Sequence, residues 1–205
     1  MKKTKPEFSF GDITNEETAY SGKTRTEFLE KEIFELNCYE QTYPVQEGDV
    51  VLDLGASIGP FTWKIMDKAS KVYTVEPMID LIPTIENNTN GFEVTIINKL
   101  LSRENGEVEF TDSCINHFEP KMVETMTFKS FLEDNNIDKI DFIKTDCEGG
   151  EYALISNENI GWIKKNVRNI VGEWHLDQIE DKVEFRYFRD KFLSQFKNYE
   201  IYSVD

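Results

Sequence analysis

The sequence predicts an α/β fold with a doubly wound, mostly parallel central sheet covered by helices on both faces. Three observations carry this. The short apolar run Val50–Leu54 reads as a strand buried on both sides, and Ile137–Thr145 carries another core strand. Stretches of helical period alternate with them; after the first run, Phe61, Ile65, Met66 and Ala69 fall on one face. Several strands end in glycines and acids, where open α/β sheets place their ligands.

The elements follow in chain order. Thr24-Arg25-Thr26-Glu27 is a capping box opening a helix with Phe28, Leu29, Ile33 and Leu36 inward. Val50–Leu54 is the first core strand, and Gly55 and Gly59 let the chain turn sharply after it. Pro60 suits the first helical position, where its missing N–H costs nothing. Lys71–Val75 forms the second strand and Pro77 stops it. Residues 80–88 are helical with Pro83 in the first turn, Asn90-Gly91 turns, and 94–98 is the third strand. Asn105-Gly106 before Val108-Glu109-Phe110 marks a hairpin-like excursion, followed by a strand over 122–126 and a helix from Thr127 to about Asn135. The fourth core strand lies within Ile137–Thr145, a helix follows Gly149-Gly150, and 167–173 form another strand. Phe185, Phe188, Phe192 and Phe196 stripe a late helix as core, and Tyr199–Val204 closes the sheet.

Composition narrows the class. The 205 residues suit a single domain spanning 1–205, with polar residues 1–22 either a flexible tail or a lid over the site. No apolar segment follows Met1-Lys2-Lys3 as in a signal peptide, and no run reaches membrane-spanning length. Cys38, Cys114 and Cys147 lack metal-site spacing and read as free thiols of a reducing, cytoplasmic environment. A net charge of −16 repels phosphate backbones and disfavours a nucleic-acid substrate; a neutral or cationic partner would approach more easily.

The chemistry concentrates at the strand ends. Asp53-Leu54-Gly55-Ala56-Ser57-Ile58-Gly59 reads D-x-G-x-x-x-G, not the dinucleotide pattern G-x-G-x-x-G. A carboxylate before the first glycine suits the cationic aminopropyl end of S-adenosylmethionine (SAM) and would repel a pyrophosphate; an ordinary tight βα turn has the same glycines. Glu76 ends the next strand, 23 positions beyond Asp53, where a βαβ unit places an acid on ribose hydroxyls; a solvated strand-end acid is the plainer alternative. The run Lys144-Thr145-Asp146-Cys147-Glu148-Gly149-Gly150-Glu151 brings more acids to the same rim, with Lys144 available to neutralise them, Cys147 packed inward and Glu151 favouring the next helix's first turn. Glu173 and His175 stand at i and i+2, so both project to one face. A histidine beside a carboxylate suits a general base, and equally a structural role at a sheet edge. His117 reads as a surface residue or a substrate contact.

Together these segments resemble the FkbM family of SAM-dependent methyltransferases. The matching residues are Asp53-Leu54-Gly55-Ala56 with Gly59 and Thr62, Glu76-Pro77, Leu101-Ser102 before Gly106, Ile140 through Glu151, and Glu173-Trp174-His175. The order and spacing agree over Val50–His175, and the lysine-to-glutamate segment is the most specific part. Two positions depart: Leu100 stands where a small residue is usual, and Ser57 where asparagine is. The resemblance implies a Rossmann-like class I methyltransferase fold and O-methylation of a hydroxyl on a small molecule or sugar. It places SAM on Asp53, Gly55, Ala56, Ser57, Gly59, Thr62, Glu76, Pro77 and Leu101. The catalytic group expected is Asp146, Glu173 and His175, with His175 as base, Glu173 orienting it, and Asp146 holding either the acceptor hydroxyl or a divalent ion. If a metal such as Mg²⁺ takes part, its oxygen ligands would be Asp146, Glu148 and Glu173. Two rival readings keep the fold: a SAM-binding protein without catalysis, and a nicotinamide-dependent oxidoreductase, which the missing G-x-G-x-x-G counts against.

Overall fold

The computed structural model describes residues 3–11, 24–111, 120–154, 156–175 and 199–204, with single positions and short pieces between 183 and 194. Cys114, His117 and the Phe185, Phe188, Phe192 and Phe196 stripe lie outside the described residues.

Nine strands and six α-helices are described: α1 (Arg25–Leu29), β1 (Val50–Leu54), α2 (Pro60–Ile65), β2 (Lys71–Val75), α3 (Ile82–Thr89), β3 (Val94–Ile97), β4 (Leu100–Leu101), β5 (Gly106–Phe110), β6 (Lys121–Met126), α4 (Phe128–Asp134), β7 (Phe142–Thr145), α5 (Glu151–Leu154), α6 (Asn157–Asn166), β8 (Asn169–His175) and β9 (Tyr199–Val204). A six-stranded sheet runs β3-β2-β1-β7-β8-β9, and a three-stranded one runs β4-β6-β5. Each pairing in the large sheet is parallel. The hairpin-like excursion is β5 lying antiparallel on β6, with β4 on its other side.

The chain leaves β1 outward through β2 and β3, then resumes on the other side with β7 and β8. Strand order therefore reverses between β1 and β7, the switch point at which a crevice opens beyond the strand tips.

Side-chain alternation builds two cores. Leu52, Leu54, Val75, Ile143 and Ile170 pack with Phe128 and Phe131 of α4 and Ile163 of α6. Val51, Val72, Phe142 and Val171 pack with Phe61 and Ile65 of α2 and with Ile33 and Tyr39. The interleaving of the two sets is the period-2 signature of a sheet buried on both faces. Asp53, Thr74 and Lys144, in register across β2, β1 and β7, interrupt the second core with a polar layer.

Local chemistry explains the departures from the sequence reading. Thr24 and Glu27 form the expected capping box, but the helix continues beyond α1 as a π-helical turn over Glu30–Glu35. The wider turn breaks the i, i+3, i+4 register, so Leu29 and Ile33 are buried while Phe28 and Leu36 are exposed. β7 starts at Phe142, later than Ile137, because Asn136 adopts a left-handed φ of 52° and Asp141 Oδ2 takes the Val50 N–H. The helix after Gly149-Gly150 is two helices: Ser156 caps α6, its hydroxyl accepting from Asn159 N at 3.1 Å. Residues 3–11 are docked against α2 and α3. Among the described residues, no helix is long and apolar enough to cross a membrane. Cys38 and Cys147 are free thiols.

Gly172 sits opposite Thr145 where β7 and β8 come close. A Cβ there would meet the Thr145 carbonyl oxygen at 2.2 Å and its Cγ2 at 2.4 Å. Gly172→Ala is expected to lower unfolding free energy by about 1–3 kcal/mol, the usual range for overpacking, read as a lower urea midpoint at unchanged m. An unchanged midpoint would show that the two strands are not so closely apposed.

Candidate active site

Two turns meet at the switch point. The β1 turn has Gly55, Ser57 and Gly59 at φ of 74°, 54° and 80°. The β7 turn has Glu148 and Gly149 at 53° and 97°. They touch so closely that a Cβ on Gly55 would lie 1.7 Å from the Asp146 carbonyl oxygen. Gly55 is therefore required twice, by its left-handed φ and by the facing backbone.

Each turn is held by a buried acid. Glu76, at the tip of β2 and 5% exposed, accepts from Ser57 N through Oε2 and from Met78 N through Oε1, both at 2.8 Å. Glu151 is fully buried and accepts from Cys147 N at 2.6 Å and Gly149 N at 2.8 Å. Its part at the start of α5 is thus to close the preceding turn. Pro77 and Leu101 are buried; the Pro77 carbonyl accepts from Asn98 Nδ2 at 2.8 Å. An open crevice of about 360 Å³ is lined by residues including Leu101, Ser102, Phe110, Glu148, Gly150 and Tyr152.

Asp53 and Thr62 do not face that crevice. Both are fully buried, with Thr62 Oγ1 donating to Asp53 Oδ2 at 2.7 Å and lying 2.8 Å from Thr74 Oγ1. Lys144 Nζ stands 3.3 Å from Asp53 Oδ1 and donates to the Gly55 carbonyl at 2.6 Å. Asp53 is expected to meet a cationic ligand directly; within the protein it meets Thr62 and Lys144. Its charge is met inside the protein and reaches the turn through Lys144. Burial pulls the Lys144 pKa down, but Asp53, Asp146 and Glu32 outweigh it and hold the ammonium above its ordinary value.

The acids beyond β7 and β8 gather on the face that carries Lys144. Asp146 Oδ2 accepts from the Tyr39 hydroxyl at 2.7 Å, and Glu32 Oε1 lies 3.1 Å from the same hydroxyl. Oxygens of Glu32, Asp146 and Glu173 lie within 4.8 Å of one another. The metal set expected from sequence does not assemble: Glu148 turns to His175, and Glu32 stands beside Asp146 and Glu173 instead. Glu32 and Tyr39 escaped the sequence reading. The signal for Glu32 is an acid on the inward flank of an amphipathic helix, between Leu29 and Ile33.

His175 is not oriented by Glu173. Its Nδ1 lies 3.1 Å from Glu151 Oε1, while Nε2 is 3.5 Å from Glu148 Oε2 and 3.9 Å from Glu173 Oε1. Burial disfavours the imidazolium, but the hydrogen bond and charge of Glu151, with Glu148 and Asp146, lift its pKa to about 9. An imidazolium held in this way is a poor base. Burial and the Asp146 charge raise Glu173 and Glu32 to about 7 each.

Two outcomes follow. Lys144→Met leaves Asp53 an unpaired buried carboxylate and should cost about 3–5 kcal/mol of stability, measured by urea unfolding. Glu32 and Glu173 hold protons in the fold that the unfolded chain releases above about 4.5, so their contribution fades as pH rises to about 7. His175 contributes fully below about 6.5 and loses its contribution as pH rises through about 9. All three act in one direction, so unfolding free energy should be greater at pH 5.5 than at 8.5, with Glu173→Gln reducing the difference.

The family model described as the methyltransferase FkbM domain matches residues 53–201. No curated protein matches the chain. The chain is similar to the precorrin 8W decarboxylase of Methanobacterium thermoautotrophicum at 18% identity and TM-score 0.43, over 83% of this chain and 73% of that one. It is similar to the precorrin-6y C5,15-methyltransferase of Geobacter metallireducens at 13% identity and TM-score 0.45, over 77% and 67%. A third likeness, to Trm5b of Pyrococcus abyssi, has 20% identity and TM-score 0.36 over 72% and 37%. With its match running from the β1 acid into β9, this chain belongs to the FkbM methyltransferase domain family and has a Rossmann-like methyltransferase fold.

Proposed function

We propose that the protein transfers a methyl group from SAM to a hydroxyl of a small molecule or sugar. The observation that carries this is the pairing of the acid-clamped β1 turn with the Glu32–Asp146–Glu173 cluster across one switch point. The residues fit the cofactor. Glu76 is an acid at the β2 tip, where a βαβ unit places a carboxylate on ribose hydroxyls, and Gly55, Ala56, Ser57 and Gly59 supply close backbone approach. Leu101 lines the crevice together with Cys147, Glu148 and Gly149 of the β7 turn, which touches the β1 turn at Gly55. When bound, SAM supplies a methyl on a sulfonium, already activated for transfer.

The chain's own residues must align the acceptor and move one proton. Glu173, with its pKa near neutrality, takes the proton of the acceptor hydroxyl. His175 stays protonated beside it and favours the ionised form of Glu173. Asp146, fixed by the Tyr39 hydroxyl, accepts a hydrogen bond from the acceptor. Asp53 and Thr62 support the turn from within, with Lys144 carrying the Asp53 charge to the Gly55 carbonyl. The −16 net charge favours neutral or cationic acceptors over nucleic acid. Protons on the clustered carboxylates, not a divalent ion, balance the charge in this reading.

Calorimetry with SAM, then a mass-spectrometric screen of hydroxylated acceptors for the gain of one CH₂, tests the proposal. Glu76→Ala should weaken SAM binding about ten- to hundredfold, as loss of charge-assisted hydrogen bonds does. Glu173→Gln should lower kcat about 10²- to 10⁴-fold and abolish the rise in rate through pH about 7. Turnover should persist with a chelator present. No SAM binding by the wild-type protein would sink the reading, and a chelator-sensitive rate would transfer the role of Asp146 and Glu173 to a cation.

A further inference from the structure

Residues 3–11 run as an irregular strap over α2 and α3. Lys5 Nζ donates to the Lys64 carbonyl at 2.7 Å and pairs with Asp67 at 2.6 Å, and Trp63 Nε1 donates to the Pro6 carbonyl at 2.9 Å. Phe8 meets Trp63 and Phe34 edge-on at 5.6 and 5.4 Å between centroids. Phe8 and Phe10 also pack on Leu29, Ile58, Met78 and Leu81. Ile58 belongs to the β1 turn, and Met78 donates its N–H to Glu76.

One buried side chain joins the strap to that turn. Asn88 of α3 is fully buried. Its Oδ1 accepts from Ser9 N at 2.8 Å and its Nδ2 donates to the Ser9 carbonyl at 2.8 Å, a two-point pairing like that between strands. The same Nδ2 donates to the Ile58 carbonyl at 3.0 Å. Both amide protons are thus assigned, one to the strap and one to the turn. Ile58 lies between Ser57 and Gly59, both at left-handed φ. Lys144 fixes the Gly55 carbonyl at one end of the turn, and Asn88 fixes the Ile58 carbonyl at the other.

We infer that the strap is part of the cofactor site, with Asn88 as the positioning residue through which Ser9 fixes the Ile58 carbonyl and so the shape of the 55–59 turn. The inference rests on the SAM reading above for the identity of the ligand. Removing the strap leaves Asn88 two hydrogen bonds short and free to release Ile58, while the sheet beneath keeps its own pairing. Coupling is reciprocal: if a docked strap favours SAM, bound SAM must favour the docked strap.

The test uses the full chain and SAM. Ser9→Pro removes the N–H that Asn88 accepts and should raise the SAM Kd about fivefold or more, the lower end of usual coupling. In the wild-type protein, amide exchange at Ser9 should slow when SAM saturates the site, a readout that a merely structural strap would not move and that needs no variant to fold. A Ser9→Pro Kd equal to that of the wild type, or Ser9 exchange indifferent to SAM, would overturn the inference while SAM binding itself stands. Absence of SAM binding by the wild type would instead remove the reading of the site, and this inference with it.

Discussion

The buried Lys144–Asp53 contact is the constraint on which the site depends. Two charges with almost no exposure are tolerable only when each finds compensation, since desolvating either costs several kcal/mol. Asp53 finds it in Thr62 and Lys144, and Lys144 in Asp53 and the carbonyls of Leu54 and Gly55. The strand register makes this possible. Asp53 pairs directly with Lys144 on one side and with Thr74 on the other, so alternation brings all three to one face. Because the lysine also grips the Gly55 carbonyl, the same ion pair that stabilises the core sets the position of the turn.

From Lys144 the electrostatics run outward. The ammonium lies 3.9 Å from Asp146 and 5.2 Å from the centre of the Tyr39 ring. Asp146 and Glu173 follow at i+2 from Lys144 and Val171, on the same side of the sheet. Glu32 and Tyr39 come from the N-terminal region and are kept there by Lys64, whose Nζ donates to the Ile33 carbonyl at 2.6 Å. More acid gathers there than the nearby cations offset. Protons stay on Glu32 and Glu173 to about pH 7 and on His175 to about pH 9. A carboxylate that titrates near neutrality is what the proton removal in the proposed reaction needs.

The strands, their parallel order and the rim that gathers the acids were legible in the sequence because each rests on period-2 burial and glycine placement. The elements that slipped were those set by tertiary contact. The π-helical turn after α1 turned Phe28 and Leu36 outward against an otherwise regular helical stripe. Nothing in the motif around Asp53 and Thr62 reveals that Lys144, some ninety residues on, lands beside Asp53. His175 shows the same limit from the other direction. The i, i+2 spacing correctly put it on the face of Glu173, but its partner is Glu151, supplied by a helix from the neighbouring crossover. Spacing within a strand gives direction; a pKa depends on everything that packs against the group.

Backbone strain gathers at the same two turns independently of these charges. Among the described residues, Asn37, Ser57, Asn136 and Glu148 are the non-glycine positions with left-handed φ. Asparagine tolerates that region through local hydrogen bonding, so Asn37 and Asn136 are ordinary. Ser57 and Glu148 are not, and such conformations cost about 1–3 kcal/mol unless their surroundings over-determine them. Both occur on the two turns that touch at the switch point, and in each turn a buried glutamate accepts the backbone N–H groups that the strained geometry presents. Glu76 takes the amide of Ser57 itself, and Glu151 takes the amides flanking Glu148. A fold seeking only stability could relax both turns with glycine. Keeping side chains there puts a hydroxyl at one turn and a carboxylate, paired with His175, at the other. The strain thus falls on the two turns that the proposed reaction would use to bring donor and acceptor together.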